Sequence, residues 1–516
     1  MGVIGWAPGP SQGTALEYVV DSRRLKDRAW AERLTEKGLS LASPDDLAFA
    51  LHQFGTPDRL LAAYLGNGRA QARRAPEDGK YTFQPATDQL RTLGAEGSTA
   101  VGICARDVRP LLGLALRTGD PQPLRAALKT LKLMEQFTVP RASQVWEVPV
   151  HTPDILAAGD ACDVYLTAYK LTGDKHLLER AAYWAKTGLP FVYMWQAPEA
   201  RPLMKGGSIA VFGGSFYVGS WFARPVQWNG LAYARSLLEL AKYDNSLPWR
   251  HFAEMITISG MNQQSTREKD YGTYTDNWDV IDDVECVGCM LGPGGILANV
   301  EELMGVPAGM RTEIVQDGAQ PICINAAPIV SDATLAGGTL TFGLRYDAGN
   351  TAYAALMPVA EPAGIEVDGK ALPRAEGSEE GWSYREGLGC LTLKLRFGET
   401  VRKVRITGAK AIAPELPPPA WGFDTEGDTE GWRAANDVAP LTAEGGSLVV
   451  EVTGGDPYIH GPGITADAAQ YPALAFRARA TATGGEVFFA TDSGGFSPKH
   501  ERALDLPGDG QWHEVT

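Results

Sequence analysis

The strongest constraint on how this chain folds is a unit that recurs at least three times: an irregular aromatic or polar loop, an apolar-periodic helix, a tight polar turn and a second helix. One copy runs from Cys104 through Leu111-Leu112-Gly113-Leu114-Ala115-Leu116 to Thr118-Gly119-Asp120, and a returning helix is predicted over 124–137. In the second, Thr152 is expected to cap a helix whose first residue is Pro153. A side-chain oxygen there accepts a free N-terminal amide, and proline's missing N–H costs nothing at that position. The stripe Ile155, Ala158, Cys162, Tyr165, Leu166 and Tyr169 keeps a helical period up to Thr172-Gly173-Asp174, and 177–188 returns. A third copy enters at Pro225, passes Leu231, Ala234, Leu237, Leu238 and Ala241 to Tyr243-Asp244-Asn245, and returns over 249–261. Repeated helical hairpins of this length predict a solenoid or a closed ring.

After Pro307 the pattern changes to short alternating segments such as Thr339-Leu340-Thr341-Phe342 and Leu391-Thr392-Leu393-Lys394, punctuated by Gly, Asp and Asn. That alternation predicts an antiparallel β-sandwich over 307–412. A proline-rich linker over 413–420, containing Pro417-Pro418-Pro419, leads to a last β-rich segment, 421–516. The segment 1–45 resists assignment. At 516 residues the chain exceeds what one core supports, so about two to four domains are expected.

The hairpins, with Leu177-Leu178-Glu179-Arg180-Ala181-Ala182-Tyr183-Trp184-Ala185 after the sharpest turn, resemble the six-hairpin (α/α) toroid of many glycoside hydrolases and polysaccharide lyases. The likeness implies a toroid over 46–306, and a fold before any single chemistry. The last segment contains Trp421-Gly422-Phe423-Asp424, Gly454-Gly455-Asp456-Pro457-Tyr458, Ala475-Phe476-Arg477 and Gln511-Trp512-His513. It resembles the jelly-roll carbohydrate-binding modules of secreted polysaccharide-degrading enzymes, and its last strand is expected beyond Thr516. A β-module that binds nothing is the alternative. The resemblance implies an extracytoplasmic, bacterial protein acting on glycans, although no signal peptide is visible at the start.

Composition excludes some partners. Sixty-two acidic against 47 basic residues give a formal charge of -15, with no Lys/Arg-rich run, so a nucleic-acid partner is not expected. No run reaches the roughly 18 apolar residues of a membrane span. Six scattered cysteines do not make a disulfide scaffold. Thirteen Trp and 17 Tyr supply flat faces suited to sugar rings, and equally suited to cores.

In a toroid the loops entering the inner helices gather at one mouth, and three of them carry chemistry. Trp146-Glu147-Val148-Pro149-Val150-His151-Thr152-Pro153-Asp154 brings two carboxylates and an imidazole together. Glu147 and Asp154 are candidate acids or bases and His151 a sugar ligand, unless Asp154 merely serves a helix N-terminus and Glu147 is solvated. In 213–229, Tyr217, Trp221 and Trp228 are candidates to stack on sugars, and Arg224 to clamp a uronate or sulfate. The stretch 271–285 is the most acidic. Asp276 or Asp279 there, opposite Glu147 or Asp154, would supply the paired carboxyls that glycoside hydrolysis needs about 5 to 9.5 Å apart. Trp278 is a further stacking candidate, while such a run is also a solvated face or a calcium loop.

Glu285, Cys286 and Cys289 resemble part of the zinc set of toroidal β-L-arabinofuranosidases, but no second cysteine pair or nearby His completes it, so no metal is expected. There is no P-loop, His-Glu-x-x-His or Gly-x-Ser-x-Gly motif. His52, His176, His251, His460, His500 and His513 read as structural. The expectation is a glycoside hydrolase using Asp154, Asp279, Glu147 and Asp276. Two alternatives stand beside it. One is a lyase with Tyr217 or His151 as base and Arg224, Arg201 or Lys205 as cation. The other is a non-catalytic glycan-binding protein.

Overall fold

The computed structural model describes residues 19–20, 22–23, 25–41, 46–54, 57–196, 205–286, 288–306, 309–375, 380–416, 420–462, 466, 468, 471–491 and 495–516. The chain divides into two compact units, one of residues 1–68 and 75–416, the other of 417–516 with 69–74.

In chain order the helices are α1 (Arg28–Leu41), α2 (Pro57–Arg74), α3 (Val101–Thr118), α4 (Pro121–Met134), α5 (Ile155–Thr172), α6 (Lys175–Gly188), α7 (Gln227–Leu240), α8 (Trp249–Asn262) and α9 (Gly294–Met304), apart from shorter turns. Three hairpins, α3/α4, α5/α6 and α7/α8, stand in a row: α3 packs on α5, α5 on α7, and α9 on α7 and α8. The Thr-Gly-Asp turns explain two of them. Gly119 and Gly173 sit at φ 65° and 72°, where a residue without Cβ ends a helix at no steric cost. The next residue, Asp120 or Asp174, then caps the following helix on the amide of Gln122 or His176. Helix α5 is buried nearly all round, which is why its apolar stripe is wider than one face. Its cap is Asp154 and its first residue Ile155, a correction to the expected Thr152 cap with Pro153 inside the helix. Pro153 lies two positions before the helix, where its carbonyl accepts the Phe212 amide at 3.1 Å.

Strands follow: β1 (Arg311–Asp317), β2 (Gln320–Ala326), β3 (Ile329–Ala336), β4 (Thr339–Arg345), β5 (Thr351–Met357), β6 (Gly364–Val367), β7 (Lys370–Ala371), β8 (Gly381–Arg385), β9 (Cys390–Arg396) and β10 (Arg402–Thr407). They form two five-stranded antiparallel sheets, ordered β7-β6-β10-β4-β3 and β8-β9-β5-β2-β1. Ile322, Ile324, Leu356, Leu391 and Leu393 of one sheet share a core with Leu340, Phe342, Val404 and Ile406 of the other. Leu47, Leu51, Leu61 and Leu65 are buried in that same core, so the stretch expected to open the helical ring serves the sheets. The second unit consists, in its described residues, of two-stranded antiparallel ribbons. They pair Arg433–Asn436 with Tyr458–His460, Thr442–Glu444 with Ser447–Val449, Phe476–Arg479 with Trp512–Val515, and Gly485–Phe488 with Glu501–Leu504.

The first helix of each hairpin starts at the same end of the row, and there the entering loops are stitched to one another. The Gly102 amide donates to Arg141 carbonyl (2.8 Å), Ile155 to Ala210 (3.1 Å), and Trp278 to Pro225 (3.1 Å). Gly102 is the tightest of these contacts, since a Cβ there would lie 2.4 Å from the Ser143 nitrogen and 2.5 Å from the Arg141 oxygen. Gly102→Ala is therefore expected to destabilise the protein by about 1–3 kcal/mol, as overpacking against backbone does. A lowered Tm in thermal unfolding checks this, and an unchanged Tm would show that the loop is not held there.

Candidate active site

The loop between α4 and α5 turns tightly at Gln144, whose carbonyl accepts the Glu147 and Val148 amides at 3.3 and 3.0 Å. Gln144 is itself fixed, donating to the Ala210 carbonyl (3.3 Å) and accepting from Asn229 (3.0 Å). Val148 and Val150 are buried in separate apolar clusters on either side of the loop. Two anchored valines and a locked glutamine thus leave Glu147 half-buried at a fixed place.

Trp228 comes from the first turn of α7. Its indole Nε1 donates to Asp276 Oδ1 at 3.0 Å, and its ring stacks on Trp146 with centroids 6.3 Å apart and planes at 28°. Asn277 donates to Asp276 Oδ2 at 3.3 Å. The Asp276 backbone is held too, its amide donating to the Cys289 carbonyl at 2.7 Å. The structure therefore brings Glu147 and Asp276, from separate loops, into electrostatic contact. Burial first, and then the Asp276 charge, push the Glu147 carboxyl up to about 7. Burial also raises Asp276, but the Asn277 and Trp228 donors oppose it by favouring the ionised form. Both carboxyls are thus raised above the ordinary range, and Asp276 has donors that moderate the rise.

The other expected site residues are placed differently. Asp154 is fully buried, its Oδ1 accepting the Ala157 amide at 2.7 Å and its Oδ2 the Ser143 amide at 3.0 Å. It holds the helix start and the Glu147 loop, and burial lifts it to about 7 despite those donors. Asp279 is engaged by Arg224 at 3.0 Å and caps its own turn on the amides of Ile281 (3.0 Å) and Asp282 (3.3 Å), so it positions Arg224 and is not a free carboxylate. Arg224 also reaches Asn277 Oδ1 at 3.4 Å. Trp221, at 3% exposure, is core, packed with Val148, Ala210, Val211 and Val226. Trp278 is buried at 9% and donates to Asp283 at 3.2 Å. Neither indole offers a face to a sugar, because each fills space under the loops. Tyr217, 69% exposed, and His151 lie on the surface of the site loops. Lys205 is exposed, and Arg201 lies outside the described residues.

Glu285 is ion-paired with Arg267, which also binds Asp270 at 2.8 Å, so it is not poised as a ligand beside Cys286 and Cys289. Among the described residues no three His, Cys, Asp or Glu side chains converge as a metal set, and no helix is long and apolar enough to cross a membrane. Gln144, Trp146, Asn229 and Asn277 escaped the sequence reading as site-builders. Trp146, next to Glu147, was the one with a readable signal.

No known protein family matches the chain, and no curated protein does. Among solved structures it is similar to an unsaturated glucuronyl hydrolase, responsible for glycosaminoglycan degradation, from Bacillus sp. GL1. Identity is 14%, over 57% of this chain and 84% of that one, with a TM-score of 0.36. An unsaturated glucuronyl hydrolase specific for heparin shares 14% identity over 57% and 85%, with a TM-score of 0.34. A GH127 β-L-arabinofuranosidase from Geobacillus stearothermophilus T6 shares 12% over 77% and 70%, with a TM-score of 0.27. The chemistry of this chain rests on its own residues.

Asp154→Ala is expected to cost about 2–4 kcal/mol of stability. Loss of an N-cap accounts for about 1 kcal/mol, and the unpaired buried amide of Ser143 for about 1–3 kcal/mol more. Urea unfolding measures it, and a cost below that of an ordinary surface substitution would remove Asp154 from the loop's support.

Proposed function

We propose that the protein is a glycoside hydrolase in which Glu147 is the general acid and Asp276 the ionised partner. What supports this reading is that Glu147, on one entering loop, is raised to about 7 by burial and by the charge of Asp276, which another loop carries. Glycosidic cleavage needs a carboxylic acid to protonate the departing oxygen and a carboxylate to activate water or attack the sugar carbon. An acid of pKa near 7 is about half protonated at neutral pH, where an ordinary carboxyl is almost wholly ionised, and it loses its proton in the step that uses it. Asp276, ionised and held by two donors, supplies the negative charge that an oxocarbenium-like transition state requires. The Trp146–Trp228 pair borders the same place and offers an aromatic wall for a sugar ring. Arg224, Tyr217 and His151 complete the substrate surface, with Asp279 positioning Arg224. A glycan substrate fits a location outside the cytoplasm and a C-terminal unit that holds the polymer. The lyase reading has less support, because Arg224, the cation a uronate needs, is already paired with Asp279.

Incubation with a panel of neutral and uronate-containing polysaccharides, followed by mass spectrometry, tests the reaction. Saturated fragments are expected, and products carrying a new C=C bond would move the case to a lyase. Glu147→Gln and Asp276→Asn should each lower kcat/KM by about 100- to 10,000-fold, the usual worth of a positioned acid or base. Wild-type rates in both variants would sink the assignment.

The pH profile carries the electrostatics. Because Glu147 must be protonated to act, activity is expected to fall as pH rises through about 7. Removing the Asp276 charge favours ionisation of Glu147. In Asp276→Asn the alkaline limb of the residual activity should therefore move to lower pH; a limb that stays put would show that the two carboxyls do not interact.

A further inference from the structure

Cys286 and Cys289 stand apart from the chain's other thiols. Cys104, Cys162, Cys323 and Cys390 are buried, whereas these two are partly exposed. They lie across a tight turn in which the Cys289 amide donates to the Cys286 carbonyl at 3.1 Å, and the two thiols are within hydrogen-bonding reach. The same two residues grip the segment that carries Asp276. The Asp276 amide donates to the Cys289 carbonyl at 2.7 Å, the Cys286 amide to the Asn277 carbonyl at 3.0 Å, and Thr275 Oγ1 to the Cys286 carbonyl at 3.2 Å. Glu285 is tied to Arg267 and adds no third ligand to the pair.

We propose that Cys286 and Cys289 are a reversible dithiol–disulfide site, oxidised by small-molecule disulfides, that sets the backbone holding Asp276. Adjacent, accessible thiols close a disulfide by exchange without a large backbone movement. In the first step the Cys286 thiolate attacks one sulfur of the external disulfide, forming a mixed disulfide and releasing one external thiolate. Cys289 then gives up its proton and attacks the Cys286 sulfur, releasing the second thiolate. Two protein thiols are oxidised, one external disulfide is reduced to two thiols, and the two protein protons pass to them. Burial, with Cys286 and the Asp276 charge beside it, pushes the Cys289 thiol up to about 11, so it attacks second, once Cys286 is capped and the reaction is intramolecular.

The native protein is treated with oxidised glutathione, alkylated and read by peptide mass spectrometry. The expected result is a single peptide, spanning Cys286 and Cys289, lighter by two hydrogen atoms and closed to alkylation, with recovery of both thiols on reduction by dithiothreitol. Cys289→Ser should stop at the first step and trap a glutathione adduct on Cys286. In the oxidised protein the fluorescence of Trp228, which donates to Asp276, should shift. Stable glutathione adducts on both cysteines, two freely alkylated thiols, or an unaltered protein recovered with zinc bound to the pair would each overturn the proposal. The mass readout does not depend on turnover, so it stands if the glycosidase reading fails. If that reading holds, the oxidised form should lose activity that dithiothreitol restores.

Discussion

Helix N-termini leave amides without partners inside the helix, and in this fold those amides are satisfied by the loop of the next hairpin. The Gly102 amide takes the Arg141 carbonyl, the Ile155 amide takes Ala210, and Asp154 supplies its carboxylate to Ala157 and to Ser143. Because each loop is bonded to the helix before or after it, none can shift alone. The position of Glu147 is therefore fixed by Gln144, which accepts its amide, and by two residues further off, Asn229 and the buried Asp154. The same logic reaches Asp276 through Trp278, whose amide donates to Pro225, and through Val280, whose amide donates to Ala223 at 3.0 Å. A site assembled from separate loops keeps its geometry only where the loops share hydrogen bonds in this way.

The opposite end of the hairpin row is closed by the β8-β9-β5-β2-β1 sheet. Asn325 donates to the Arg117 carbonyl (2.8 Å), Gln320 to Gly119 (2.8 Å) and Gln316 to Leu171 (3.1 Å), so side chains of β1, β2 and their turn cap the last carbonyls of α3 and α5. Cations gather there. Lys170 lies 3.0 Å from Glu239, Lys242 2.6 Å from Glu239, and Arg311 3.0 Å from Glu302. Burial works against the charge on Glu239, but Lys170 and Lys242 outweigh it and bring its carboxyl down to about 2. Against burial, Lys242 and Arg311 hold Glu302 down as well, while burial raises Glu313 beside them. Glu147 and Asp276, at the other end, are both raised, Glu147 beside an acidic neighbour instead of a cation.

Much of the helical part was legible because its signals are local. A Thr-Gly-Asp turn carries a helix stop and a helix start in consecutive residues, and the periodic stripe of Ile155 to Tyr169 fixes the helix between them. The site was legible only as a set of loops. Sequence placed Glu147, Asp154, Asp276 and Asp279 near one mouth, but could not show which carboxyls are turned inward to amides and which remain at the surface. Asp154 and Asp279 have the same composition signal as Glu147 and Asp276. They differ in their donors, two backbone amides for Asp154 and Arg224 for Asp279, and those donors come from sequence positions that only folding brings close. Trp221 and Trp278 show the same limit for aromatics, since an indole that fills a core and one that borders a cleft are written with the same residue.

Charge at the two ends of the row follows the helices themselves. The parallel first helices, α3, α5 and α7, point their N-termini at the mouth and their C-termini at the sheet, and aligned peptide dipoles favour anions at the first end and cations at the second. Asp154 at the start of α5, and Lys170 in its last turn, obey that rule within one helix. For Asp276, hydrogen-bonded to a tryptophan in the first turn of α7, the same field favours the ionised form that its two side-chain donors favour. Among the described residues no donor reaches the Glu147 carboxyl, so burial and its acidic neighbour prevail there. Burial raises both carboxyls, and the hydrogen bonds directed to Asp276 and withheld from Glu147 set the two apart.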